Sequence, residues 1–113
     1  MKLEIETKDR IALIRINESE LTSVCSPELK TELLKLVSEG YIFIIINLKS
    51  VIYVDSSGLS SLLFGKRQVS AQEGDIKLCC LSDSVSKMIE IAQLNRIFKI
   101  FDTEEDAVND VNQ

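Results

Sequence analysis

Apolar and acidic residues alternate over residues 3–7: Leu3 and Ile5 share one side, Glu4 and Glu6 the other. A period of two predicts a half-exposed strand at a sheet edge. After the polar turn Lys8-Asp9-Arg10, residues 11–16 (Ile-Ala-Leu-Ile-Arg-Ile) are apolar at all but one position. They predict a more buried strand, and the short connection predicts an antiparallel hairpin. Residues 41–47 hold the unbroken run Ile42-Phe43-Ile44-Ile45-Ile46. A strand half in water would alternate, so this one is predicted to be buried on both faces. Residues 76–81 predict another buried strand, and residues 97–101 a short final one.

The period changes to that of a helix between these runs. Residues 17–25 are polar and read as irregular. Ser26-Pro27-Glu28 then predicts a helix start, with Ser26 as N-cap, Pro27 first in the helix and an acid in the first turn. Leu29, Leu33, Leu36 and Val37 fall on one face, and Gly40 ends the helix. A second helix follows Asp55-Ser56-Ser57-Gly58, with Leu59, Leu62 and Leu63 inward and Lys66 and Arg67 towards its far end. Ser82-Asp83-Ser84 caps a third, with Val85, Met88, Ile89 and Ala92 inward. Asp102 and Thr103 cap a fourth, with Ala107, Val108 and Val111 on its packing side.

The order is β-β-α-β-α-β-α-β-α. Repeated β-α-β units imply a mostly parallel sheet with right-handed crossovers, to which the hairpin adds an antiparallel edge. The expectation is an α/β fold with about four helices, as one domain over residues 1–113. That length matches a common domain size.

Composition narrows the function classes. The formal charge of −5 argues against nucleic acid, which needs a basic face. No apolar run approaches the ~20 residues of a membrane span. Glu4 and Glu6 interrupt what would be the apolar part of a signal peptide, so the protein is expected in the cytoplasm. The chain has no histidine, which removes the Ser-His-Asp and Cys-His machineries and the commonest metal ligand. No cofactor or metal is expected. Cys25, Cys79 and Cys80 read as small buried thiols in a reducing compartment, with the adjacent pair on opposite faces of a strand.

The candidate chemistry lies at Asp55-Ser56-Ser57-Gly58, a turn at the carboxyl end of a buried strand, where open α/β sheets place their sites. Asp and Ser cap helices because their oxygens accept orphan backbone N–H groups. The same position puts hydroxyls at the positive end of a helix, where an anion is favoured. A phosphate on Ser56 would add about −1.5 to −2 charges there.

Val51-Ile52-Tyr53-Val54-Asp55-Ser56-Ser57-Gly58-Leu59, preceded by Ile44-Ile45-Ile46-Asn47-Leu48, resembles the signature of the anti-sigma factor antagonists of the STAS domain family. Ser26-Pro27-Glu28-Leu29 is similar to the family's first helix start. Leu94-Asn95-Arg96-Ile97-Phe98-Lys99-Ile100 with Thr103-Glu104-Glu105-Asp106-Ala107 resembles its last strand and helix. The resemblance implies a protein that binds an anti-sigma factor, often a serine kinase, and so frees the sigma factor. It implies that the kinase phosphorylates Ser56, ending binding until a PP2C-type phosphatase restores it. It implies a partner surface made of Asp55, Ser56, Ser57, Gly58 and Leu59 with the loop at Thr22 and Ser23. The family often carries an acid after the loop's Leu, where this chain has Thr22 after Leu21. A monomer or weak homodimer is expected, since an exposed edge strand allows self-association.

Other classes fit less well. A receiver domain would use Asp55 as phosphoacceptor but needs an acidic pair for magnesium, for which Glu18 and Glu20 are the only local candidates. A serine enzyme lacks a histidine and a G-x-S-x-G elbow. No glycine-rich loop supports nucleotide binding. A STAS scaffold or transporter-accessory domain, binding a partner without phosphorylation, is the alternative within the family.

Overall fold

The computed structural model describes residues 2–113. β1 (Leu3–Lys8) and β2 (Ile11–Ile16) form the antiparallel hairpin, with Leu3 opposite Ile16. β4 (Phe43–Asn47), β6 (Asp75–Cys79) and β7 (Lys99–Phe101) continue it in parallel, giving a five-stranded sheet in the order β1-β2-β4-β6-β7. The register sets Ala12, Ile44 and Ile76 side by side, and likewise Ile14, Ile46 and Leu78. These residues form one face, which packs on α1 (Ser26–Ser38), α2 (Ser56–Ser70) and α3 (Asp83–Ile91) through Leu29, Leu33, Leu62, Val69, Val85 and Ile89. The opposite face offers Leu13, Ile45 and Cys79 to α4 (Glu104–Val111). Ile44, Ile45 and Ile46 are all buried, as the unbroken run requires of a central strand covered on both sides.

Gly40 has φ +94 and ends α1 in a left-handed turn. Its N–H donates to Val37 O at 3.0 Å, and that of Tyr41 donates to Leu36 O at 2.9 Å. These two bonds satisfy the last carbonyls of the helix.

Several expectations are corrected. Ser26 is not the N-cap of α1; Cys25 is, without a side-chain cap, and Ser26 lies inside the helix. Thr22 O accepts the N–H groups of both Cys25 and Ser26, so the backbone itself closes the helix start. Residues 17–25 are not wholly irregular: β3 (Glu20–Leu21) pairs in parallel with β5 (Tyr53–Val54). The strand at 76–81 stops at Cys79, because Cys80 turns left-handed with φ 62. Both adjacent cysteines therefore meet the cluster under α4, and Cys80 is only partly buried. Ala92 is exposed as the C-cap of α3 rather than inward. Residues 94–96 form a 3-10 turn before β7, following a left-handed Gln93. Thr103 alone caps α4, accepting the Asp106 N–H at 3.1 Å.

Charge docks α4 as much as apolar contact does. Arg15 on β2 holds Glu104 through Nε at 2.8 Å and Nη2 at 2.9 Å, and Asn47 also donates to Glu104. Lys77, on the same sheet face and buried, meets Asp110 at 2.7 Å. The hydrogen bond from Arg15 holds the Glu104 carboxyl below its ordinary value, and the one from Lys77 does the same for Asp110. Burial opposes ionisation of Asp75, but Lys66 and Lys77 outweigh it, so its pKa is lowered too. Carboxylates depressed in the folded state contribute stability above their unfolded pKa and lose it as pH falls through the folded one. The thermal midpoint is therefore expected to fall steadily from about pH 5 to about pH 3. Glu104→Gln is expected to lower the midpoint at neutral pH and flatten this acid dependence. Circular dichroism melts of both proteins across that range check it.

Candidate functional site

β5 delivers the chain to Asp55, whose extended backbone (φ −90, ψ −176) sets the entry to α2. Asp55 Oδ1 accepts the Gly58 N–H at 2.9 Å, a side-chain cap of the helix. Its Oδ2 accepts the Ser23 N–H at 3.2 Å, and its own N–H donates to Leu21 O at 3.2 Å. One residue thus caps α2 and ties it to the loop between β3 and α1. Ser19 O accepts the Ile52 N–H at 2.8 Å, extending the seam along β5. Asp55→Ala is expected to cost about 1 kcal/mol of stability through the lost cap. Faster amide exchange at Gly58 and Ser23, with little change at the sheet, would report the same loss.

Gly58 is buried beneath that loop. A Cβ there would lie within contact distance of Leu21 O and 2.6 Å from Val54 Cγ1. The loop can approach α2 so closely only because this position carries no side chain.

The structure brings Thr22 and Ser23 against the turn that bears Asp55, Ser56, Ser57, Gly58 and Leu59. Ser56 is the first residue of α2 and is exposed; Ser57 is half-buried. Ser23 is exposed, whereas Thr22 is half-buried and accepts the Val24 N–H through Oγ1 at 3.4 Å. Gly58 and Leu59 face the protein, Leu59 packing on the main core, so they support the surface more than they form it. Lys66 pairs with Asp75 across to β6, while Arg67 is exposed.

Exposed apolar side chains lie on the segments that lead to this turn and its loop. Val24 is 91% exposed on the loop, and Ile52 and Tyr53 are 58% and 45% exposed on the seam leading to Asp55. Sequence reasoning singled out none of the three: Ile52 and Tyr53 entered only within the signature run, and Val24 fell in the polar stretch 17–25. A shallow depression opens beside Ser56 between α1 and α2, lined by Ser23, Ser26, Lys30, Ser57 and Ser60 among others. No helix among the described residues is long and apolar enough to cross a membrane.

Comparison with known proteins assigns this fold to a family. The family model of the STAS domain matches residues 2–107. This chain belongs to the STAS domain family. Among relatives of this STAS domain, BtrV of Bordetella bronchiseptica, named as a candidate anti-sigma factor antagonist, is 28% identical over 107 residues. The match covers 95% of this chain and 91% of BtrV. A candidate anti-sigma factor antagonist from Thermotoga maritima superposes with a TM-score of 0.93 at 23% identity, covering 98% of this chain and 95% of that one. The anti-sigma factor antagonist SpoIIAA, unphosphorylated, superposes at 0.87 with 24% identity, covering 98% and 96%. Its phosphorylated form superposes at 0.77 with 23% identity, covering 97% and 99%. The STAS fold is thus shared along nearly the whole chain.

Proposed function

We propose that this STAS domain is a cytoplasmic anti-sigma factor antagonist. It acts by binding and not by catalysis. In the unmodified state, the surface formed by Ser56, Ser57, Ser23 and the exposed Val24, Ile52 and Tyr53 docks on an anti-sigma factor and frees the sigma factor. The observation that carries this reading is the exposed Ser56 hydroxyl at the first position of α2, flanked by exposed apolar side chains. The names of the relatives support it, as does the existence of SpoIIAA in both phosphorylated and unphosphorylated forms.

The switch is a phosphoryl transfer from the anti-sigma factor's bound nucleoside triphosphate. A bond forms from Ser56 Oγ to the γ-phosphorus as the bond to the leaving nucleoside diphosphate breaks; the hydroxyl proton passes to a base of the kinase. The resulting dianion sits at the positive end of a helix, so the fold accepts it. An interface closed over the same spot does not, because the charge must be desolvated. A PP2C-type phosphatase reverses the step by hydrolysis.

Incubating the protein with its anti-sigma factor and nucleoside triphosphate, then mapping phosphate by mass spectrometry, tests this reading. One acid-stable phosphate on Ser56, absent from Ser56→Ala, is expected. Phosphate elsewhere, or none, contradicts it.

A further inference from the structure

We propose that the depression between the N-termini of α1 and α2 is a receptor for the phosphate that Ser56 carries, with Lys30 and the Ser26 hydroxyl as its ligands. The proposal rests on Ser56 being the modified residue, and it assigns where the phosphate goes.

Three observations converge on this depression. Ser26 is only 4% exposed, yet it lines the depression. Its hydroxyl hydrogen-bonds to no protein group among the described residues, and it is not sealed from the depression either. Serines in a first helical turn commonly bond back to the preceding loop, but here Thr22 O is already taken by the N–H groups of Cys25 and Ser26. The Ser26 hydroxyl is thus left without a protein partner among the described residues, where the residue lines the depression. Lys30, one turn further along α1, reaches across to α2, its Nζ 5.7 Å from the centre of the Phe64 ring. It has no carboxylate partner among the described residues, so the Phe64 ring is what engages its charge. Ser56 itself lies on the rim, where two helices of 13 and 15 residues direct their N-termini.

Asp55, next to Ser56 in the chain, carries a charge of the same sign as the phosphate. Both Asp55 oxygens are engaged by backbone N–H groups, of Gly58 and of Ser23, so its charge is partly satisfied. A phosphate swung from Ser56 into the depression gains a cation, a hydroxyl donor and favourable dipoles. This folds the modified side chain down between α1 and α2. Phosphorylation then both adds charge and removes the Ser56 and Ser23 hydroxyls from the partner's reach.

The test is the phosphate's own titration, followed by phosphorus NMR on protein carrying phosphoserine at position 56. In the native protein its second ionisation is expected below that of the same phosphoserine in the urea-unfolded chain. Lys30→Gln is expected to bind that proton roughly threefold more tightly than wild type. Ser26→Ala moves it the same way, and Lys30→Arg restores the wild-type titration. A loss of Lys30 packing alone would leave the phosphate's titration unmoved. A titration unchanged by Lys30→Gln overturns the receptor, whether or not phosphorylation ends partner binding. A shifted titration with undiminished partner binding supports the receptor while rejecting the switch, so the two readings fail separately.

Discussion

Gly58→Ala is expected to destabilise the protein by about 2 kcal/mol and to end partner capture. The added methyl has to displace Leu21 O or Val54 Cγ1. Neither can yield alone: Leu21 O accepts the Asp55 N–H, and Leu21 pairs with Val54 in the β3–β5 seam. Overpacking costs about 1–3 kcal/mol and occasionally more, and contacts this short put it at the upper end. Alanine's better helix propensity offsets about 1 kcal/mol, which keeps the net figure modest for the fold but concentrates the damage in the loop. In a domain with about 5–15 kcal/mol of total stability, the sheet survives while the Thr22–Ser23 loop lifts away from α2. Gly40→Ala is the informative comparison. Its added Cβ meets nothing within 4 Å, so only the left-handed backbone resists, far from the turn. Urea unfolding together with a binding assay separates the two: both variants lose stability, and Gly58→Ala alone loses binding.

Ser56→Asp is expected to weaken binding to the anti-sigma factor by roughly 100-fold or more, while Ser56→Ala binds as wild type. Like charge and an undersolvated carboxylate in an interface cost several kcal/mol, and about 1.4 kcal/mol is a tenfold change in affinity. Fold stability is expected to change little, since position 56 is exposed and an acid in the first helical turn is favoured. Equal binding by wild type, alanine and aspartate proteins would count against the switch. So would loss of binding in both variants, which would make the hydroxyl a contact and not a control point.

The main sheet and its helices were legible in the sequence because each leaves a long signal. The run from Ile42 to Ile46 has no polar break, and the Val85, Met88, Ile89 spacing repeats at helical period. Asp55 was legible as a cap because its three-residue reach to Gly58 is local. The β3–β5 seam was not, since two-residue strands have no period to detect and their pairing joins residues more than thirty apart. Ser26 looked like a cap by type, but the Thr22 carbonyl had already closed the helix start, which no local pattern encodes. Cys80 reads as strand by composition, but its backbone turns left-handed with φ 62 just past the end of β6. Of the proposed surface and depression, Ser56 was legible by its position after Asp55. Lys30, Val24, Ile52 and Tyr53 were not, because their exposure depends on what the rest of the chain leaves uncovered.

The most direct measurement is the calorimetric affinity of one preparation for its anti-sigma factor, before and after stoichiometric phosphorylation at Ser56. The account predicts tight binding by the unmodified protein and a loss of roughly 100-fold or more on modification, with the melting profile preserved. Equal affinity of the two forms would contradict it.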